Sequence, residues 1–515
     1  MQKLTYLFLI IIVLLAGFLR FYKLDSIPAS LNWDEIAAGY NAYTIANWGA
    51  DEYGNKFPLV FTSFEDDKHP VHIYLTSIVV KIFGLTDFNI RSTSAGIGAL
   101  SVIAIFFLAR ELLKNNLSAL LSALFLAVSP YHIHFSRGLW ENNFALFFLI
   151  AGLTFFYVGI KKSNYLIPLA FSFFGFSFYS YHSAKVVVPI VVLIVCIINI
   201  KQLFKNKIVL ITSVLVTLLF AIMIVKDTRI LGFARINQTK LSSSVSIFNN
   251  YKKHFTYEYL FKSGDQGPRA SVKVIGQFYR FDFVLLIIGL IALIYKKKWQ
   301  ALTVILVWLA VAPIPSSISS IEPSSIRGIF TIGPVMLLSA SGTGALISLF
   351  KNKWLKAMMA ILILGLLSRE VFNYLNYYTK IYPVKEAIEW QYGMKEIVEY
   401  SEKNPKIYKM YVDNIRQQPY IYFLYYLKVS LPELLDTVKY DNSNSKSFNT
   451  VLSFDRYQFG SWNIIESYPN EGIVYAVTPS YYTGLRYIQQ FDVVKQIKYP
   501  DKTDAFYLVT GHSQQ

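Results

Sequence analysis

The sequence predicts a polytopic α-helical membrane protein with a small α/β domain after its last span, and three observations predict it. The 515 residues are 54% hydrophobic and only 16% charged, with a mean hydropathy of +0.39, too apolar for one soluble domain. Apolar runs recur as far as residue 372, at lengths near the roughly 17–25 residues that cross a bilayer. From about residue 380 the composition turns Tyr-, Lys- and Glu-rich, with no further run of that kind.

The runs fall at 4–22, 90–111, 117–134, 143–160, 164–182, 185–201, 207–225, 281–295, 299–313, 327–350 and 354–372, which makes about eleven transmembrane helices. The first follows Lys3 and lacks a small-x-small cleavage site, so it reads as an uncleaved span. A twelfth run, 70–85, is decided by charge. The net charge of +17 comes from short lysine runs between spans rather than from one basic face, which signals topology and predicts no nucleic-acid partner. With 70–85 left out, Lys3, Arg110, Lys114, Lys161, Lys162, Lys201, Lys205, Lys207, Lys296 to Lys298, Lys351, Lys353 and Lys356 all share one face, as cytoplasmic loops should. The 70–85 segment is then a helix lying in the outer interface.

This parity predicts a multi-pass plasma-membrane protein with a cytoplasmic N-terminus. The loop 23–89, the turn 135–142, the loop 226–280, the stretch 314–326 and the tail face outward. Residues 1–375 read as the membrane domain and 380–515 as an extracytoplasmic α/β domain. In the tail, helical pieces (Ala387 to Lys403, Gln417 to Lys428) alternate with strand-like ones (Ile407 to Val412, Gly472 to Val477, Phe491 to Ile497, Phe506 to Val509). No Gly-rich loop opens a tail helix, so a rigid cap or a docking domain is expected rather than a nucleotide site. The single Cys196 lies in an apolar run and cannot form an intrachain disulfide.

Two acidic clusters in the first outward loop, Trp33-Asp34-Glu35 and Glu65-Asp66-Asp67-Lys68-His69-Pro70, stand out in so apolar a chain. Ionisable groups at a bilayer are costly and mark candidate chemistry. Outside the cell an activated donor must arrive in the membrane, and a polyprenyl-phosphate sugar is the natural one. Its transfer needs a base for the acceptor hydroxyl and cations for the departing phosphate. Asp34 or Glu35 supplies the first; Lys68, Arg137, Lys185 and Arg327, all at outer ends of spans, supply the second. Each has a plainer reading. Asp34 and Glu35 suit a helix N-terminus after Trp33, and Asp67-Lys68-His69-Pro70 suits a turn with Pro70 opening a helix. Arg137 and Glu141 can pair one turn apart, whereas His182, Lys185 and Arg327 can anchor at the headgroups. Their joint occurrence on one face favours a site.

The order of these features resembles the polyprenyl-phosphate-dependent glycosyltransferases of the C-type membrane fold, the superfamily that includes protein O-mannosyltransferases and aminoarabinose transferases. The matching residues are Asp34-Glu35; Asp67-Lys68-His69-Pro70; Phe83 to Leu85 with Asn89 to Arg91; Ser136-Arg137 with Glu141 and Asn142; Tyr179 to Lys185; and Pro323 to Gly328. They cover about residues 1–375. The chain departs at Val71, where relatives continue a double proline, and at Ser325, where some have His. The resemblance implies an inverting transfer with no required cofactor. Asp34 would be the base, Glu35 and Asp67 its acidic companions, and Lys68, His69, Arg137, Glu141, Asn142, His182, Lys185 and Arg327 the donor-phosphate and substrate contacts. A divalent metal at Asp34, Glu35, Asp67 and His69 stays open. Expected partners are the lipid-linked donor, an acceptor protein, glycolipid or polysaccharide, and the bilayer. The alternatives are a transporter or flippase of lipid-linked sugars and an oligosaccharyltransferase or ligase using a larger donor.

Overall fold

A computed structural model describes residues 2–63, 66–231, 244–318, 322–414, 418–441, 450–460, 470 and 472–512. Of the residues singled out above, Glu65 and Gln417 lie outside these. The chain divides into two compact units, Met1–Leu24 with His69–His72 and Arg91–Tyr378, and Asp25–Lys68 with Ile73–Ile90 and Thr379–Gln515.

The first unit is helical, and a helix lies on each of the expected apolar runs. Among the described residues six are long and apolar enough to cross a membrane: Gln2–Phe21, Asp87–Leu113, Glu141–Lys161, Lys207–Lys226, Trp299–Ser317 and Ile329–Leu349. The protein is therefore a multi-pass membrane protein. The pair Asn116–Val128 and Pro130–Arg137, bent by 54°, makes a seventh if counted as one span. Leu166–Phe178, Ala184–Ile198 and Asp282–Tyr295 have 13, 15 and 14 residues. At 1.5 Å per residue each covers only about 20 Å of a hydrocarbon layer of about 30 Å.

Lys207–Lys226 is apolar on all sides and exposes Ile208, Ile211, Leu215, Leu218, Leu219 and Ile222, as a lipid-facing helix must. Elsewhere small residues let backbones touch. A Cβ on Gly289 would sit 2.1 Å from the Leu338 carbonyl oxygen, and one on Gly342 2.1 Å from that of Leu285, so Asp282–Tyr295 and Ile332–Leu349 pack without side chains between them.

The bend follows from Pro130. Proline has no N–H to donate, and the break strips the end of Asn116–Val128 of helical donors. Side chains replace them. The Arg20 guanidinium donates to the carbonyls of Ala127 at 3.0 Å and Leu126 at 3.2 Å, and the Tyr279 hydroxyl donates to that of Val128 at 2.8 Å. Tyr374 donates to the Pro130 carbonyl at 3.2 Å. Arg20 also meets His132 Nδ1 at 2.7 Å and is fully buried.

The second unit holds segments of the loop after the first helix together with the tail. It contains the helix Trp33–Trp48, the helix Pro70–Phe83 from Ile73 on, and a hairpin of β1 (Phe61–Ser63) and β2 (Asp66–Lys68). The tail carries β3 (Lys409–Asp413), β4 (Lys439–Tyr440), β5 (Val451–Phe454), β6 (Tyr457–Gly460), β7 (Ile473–Val477), β8 (Phe491–Lys498) and β9 (Asp504–Gly511). They form a seven-stranded sheet in the order β4-β5-β6-β3-β7-β9-β8. Strand β3 runs parallel to β6 and β7, and the other pairs are antiparallel. The strands expected near 407–412, 472–477, 491–497 and 506–509 are β3, β7, β8 and β9; β4 to β6 had no clear alternation to reveal them. Tyr475, Val477, Leu485, Phe491 and Val509 form one apolar cluster, and the helices Met394–Lys403 and Tyr420–Tyr426 bury Ile397, Val398 and Phe423.

Replacing Arg20 with Met keeps the length and removes the donors. The freed carbonyls have no water to turn to, so the variant is expected to lose about 3 kcal/mol, read as a lower thermal midpoint in detergent. An unchanged midpoint would discard Arg20 as the support of the bend.

Candidate active site

In the second unit the site begins at a helix N-terminus. Asn32 caps Trp33–Trp48, accepting from Asp34 N at 2.8 Å and Glu35 N at 3.2 Å. Glu35 closes the box by accepting from Asn32 N and Nδ2, both at 3.1 Å. Glu35 is buried, and its carboxylate points back along the chain. Asp34, the residue before it, points elsewhere: Lys68 Nζ reaches Asp34 Oδ1 at 2.5 Å, with Lys68 about one-tenth and Asp34 about one-third exposed. Lys68 is presented by the β1–β2 hairpin. Neighbours on a strand face opposite ways, so Asp67 turns to Thr62, whose hydroxyl donates to it at 3.4 Å.

In the first unit four of the expected residues form a chain. Glu141 opens the helix Glu141–Lys161 and accepts from His69 N at 3.4 Å, with His69 Nδ1 3.6 Å away. The His69 ring meets the His182 ring edge-on, centroids 4.3 Å apart, and Lys185 Nζ lies 3.2 Å from His182 Nδ1. Next to Glu141, Asn142 donates to the Ile326 carbonyl at 2.9 Å. That bond ties the loop bearing Arg327 to the same helix start.

Arg137 is used differently. Its guanidinium donates to the carbonyls of Leu19 at 2.8 Å, Arg20 at 3.1 Å, Tyr22 at 2.7 Å and Lys23 at 3.2 Å, while lying 5.8 Å from the Tyr378 ring centre. It is buried and collects the carbonyls that the end of helix Gln2–Phe21 leaves without donors.

Known proteins share this arrangement of elements. The sequence family described as dolichyl-phosphate-mannose-protein mannosyltransferase matches residues 67–225. ArnT from Cupriavidus metallidurans in the apo state superposes over 97% of this chain and 97% of its own, with a TM-score of 0.60 at 13% identity. The same protein bound to undecaprenyl phosphate covers 98% of both chains, with a TM-score of 0.58 at 14% identity. The chain has the C-type membrane glycosyltransferase fold. The archaeal oligosaccharyltransferase AglB from Archaeoglobus fulgidus, in complex with an inhibitory peptide and a dolichol-phosphate, shares that fold over 82% of this chain and 63% of its own, with a TM-score of 0.53 at 12% identity. No protein of curated function matches in sequence.

Two acidic residues of this C-type chain escaped the sequence reading. Asp265 Oδ2 accepts from Ser325 N at 2.6 Å and from its hydroxyl at 3.0 Å, and Tyr131 donates to the Ser325 carbonyl. Burial pushes the Asp265 carboxyl above the usual range, against the pull of the Ser325 hydrogen bonds and the Arg327 charge. Ser325, where some relatives have His, is thus a support for the Arg327 loop. Its partner is 60 positions away, and no local pattern announces it.

Glu52, in Asp51-Glu52-Tyr53-Gly54, is 2% exposed. Burial pushes its carboxyl up to about 8, helped by Asp51 and opposed by Lys68 and Asn41. Of the tail tyrosines, Tyr420, Tyr422 and Tyr425 are buried. Among the described residues no three His, Cys, Asp or Glu side chains converge as metal ligands would.

The Glu52 carboxyl, near 4.5 when unfolded and about 8 when folded, binds its proton more tightly in the native state. Stability should therefore fall as pH rises from about 5 to about 8, and level off above. Glu52→Gln should flatten that slope in thermal scans; an unchanged slope would remove Glu52 as its source.

Proposed function

We propose that this protein is a polyprenyl-phosphate-dependent glycosyltransferase of the outer membrane face, with Asp34 as general base. The observation that carries the reading is the Lys68–Asp34 pair at 2.5 Å, set at a helix N-terminus in a chain of C-type fold. The structural relatives solved with undecaprenyl phosphate and with dolichol-phosphate support a lipid-phosphate donor. The arrangement of lysine runs supports eleven crossings, a cytoplasmic N-terminus, and an outward site and tail in the plasma membrane.

In this reading the acceptor hydroxyl gives its proton to Asp34 as its oxygen attacks the anomeric carbon. The bond to the phosphate oxygen breaks, configuration inverts, and polyprenyl phosphate leaves. A carboxylate one-third exposed beside an ammonium is oriented and still open to an acceptor. Lys185 and Arg327 stabilise the charge that gathers on the leaving phosphate. His182 orients Lys185, while Glu141 and His69 hold the chain behind it. Asn142 and Asp265 place the Arg327 loop. Glu35 and Arg137 serve the backbone: the first as cap, the second as clamp on the first helix. Transfer to an acceptor protein, glycolipid or polysaccharide proceeds without a required divalent ion.

Asp34→Asn should lower transfer from a purified polyprenyl-phosphate sugar by about 10²–10⁴-fold, the usual contribution of a general base, with the thermal midpoint kept. Retained turnover would take the base role from Asp34. Lys185→Met and Arg327→Met should chiefly weaken donor use, whereas Arg137→Met should lower the midpoint. Incubation with EDTA is expected to leave the rate within about twofold; loss restored by a divalent ion would install a metal in the reaction.

A further inference from the structure

Asp265 braces the Arg327 loop, and its hydrogen bonds ask for more than an ionised carboxylate can give. It is buried and opens a folded loop, in which Gly267 N donates to Asp265 Oδ1 at 2.8 Å and Ala270 N to the Gly267 carbonyl at 2.9 Å. Opposite it, Gly328 N donates to the Ser324 carbonyl at 2.9 Å, closing a turn around Ser325, Ile326 and Arg327. Whatever holds Ser325 therefore holds Arg327, two positions on.

Ser325 is gripped at each of its polar atoms. Its N–H donates to Asp265 Oδ2 at 2.6 Å and its carbonyl accepts from Tyr131. Its hydroxyl oxygen lies 3.0 Å from Asp265 Oδ2 and 2.9 Å from the Ala270 carbonyl oxygen. A serine hydroxyl has one hydrogen. If Asp265 is ionised, both oxygens facing the hydroxyl are acceptors, and one of two contacts at hydrogen-bond distance lacks a proton. A protonated Asp265 supplies it: Oδ2–H donates to Ser325 Oγ, and Oγ–H donates to Ala270. The N–H groups of Ser325 and Gly267 favour the ionised form instead. The carboxyl is thus balanced between two arrangements that differ by one proton and one hydroxyl rotation, and burial weighs toward the neutral one.

The titratable and charged groups around the carboxyl come from three elements: Tyr131 from helix Pro130–Arg137, Tyr259 from the helical turn Glu258–Lys262, and Arg327 from the turn it would control. A Cβ on Gly328 would lie 3.7 Å from Tyr131 Oη and 3.8 Å from Tyr259 Oη, so both hydroxyls border that turn. Arg327, the charge among them, favours the ionised form.

We propose that Asp265 is a positioning residue for Arg327 whose grip depends on a proton. With the proton bound, Asp265, Ser325 and Ala270 form one chain that joins the two loops. When the proton leaves to solvent, the Ser325 hydroxyl turns to the carboxylate, the link to Ala270 is lost, and the turn bearing Arg327 is held by one bond fewer. The grip is complete at low pH and weakens as pH rises through the folded-state midpoint. Its consequence for donor use rests on Arg327 meeting the lipid phosphate, but the proton chain itself does not.

The full-length protein in lipid nanodiscs is titrated by infrared difference spectroscopy, following the carboxyl band that Asp265→Asn removes. If that variant does not assemble, Asp265→Glu assigns the band by displacing it. The midpoint is expected above the ordinary aspartate value of about 3.9. Ser325→Ala deletes the acceptor of the acid's proton and should lower the midpoint by about half a pH unit or more; were the hydroxyl only a donor to a carboxylate, its loss would raise the midpoint. If the alanine variant does not assemble, Ser325→Cys, with a poorer acceptor, is read for the same sign. Amide exchange in the peptide holding Ser325 to Gly328, corrected for the intrinsic effect of pH, should quicken by about threefold or more as pH passes the midpoint. A midpoint at or below the ordinary value, one that the Ser325 variant raises or leaves unmoved, or exchange without a step overturns the inference. None of these readouts involves sugar transfer. If Arg327→Met leaves donor use intact, the phosphate assignment fails while the midpoints still decide the proton.

Discussion

The helical unit depends on satisfying backbone groups where no water is at hand. Pro130 breaks a helix in the apolar layer, and two buried guanidinium groups repair the damage. Arg20 serves the carbonyls before the break, and Arg137 serves those at the end of the first helix. Arg20 of the first helix is thus anchored on the end of Asn116–Val128, and Arg137 of Pro130–Arg137 on the end of the first helix, which fixes where that first helix stops. An arginine suits this task because its planar fork presents several donors at once and stays charged.

The same accounting distinguishes the carboxylates. Asp34 and Glu35 are consecutive, yet one faces an ammonium and the other closes a capping box, because successive residues at a helix start point about 100° apart. Asp265 holds a serine that carries a loop. Glu52 is buried, its backbone N–H held by the Asn41 side chain. Four acids of similar solution chemistry are thus given different surroundings by their neighbours.

Much of this was legible beforehand. Every apolar run holds a helix, since a long run has no other stable form in lipid. Clustering of acidic and basic residues on one side of the loops marked Asp34, Lys68, His182 and Lys185, and the structure brings Asp34 to Lys68 and His182 to Lys185. The lengths of Leu166–Phe178, Ala184–Ile198 and Asp282–Tyr295 were overestimated, because hydropathy continues into turns that the backbone has already left. The carbonyls that Arg137 meets could not be read from sequence, because a cation at a span's end looks the same whether it meets a ligand or a carbonyl. The short strands β4 to β6 lack the length at which alternation can be told from chance.

The sequence by itself determined the membrane class, the placement of helices, the clustering of charge in the loops, and the change to an α/β tail. Those are properties of composition and local period, which do not need a partner to act. Only the tertiary structure decided which charge serves which group: Arg20 and Arg137 to carbonyls, Glu35 to a cap, Asp265 to Ser325, Lys68 to Asp34. Hydrogen bonds and ion pairs are directional and short, so their partners are set by packing between residues far apart in the chain. Burial made the same distinction for Glu52, pushing its carboxyl above the usual range.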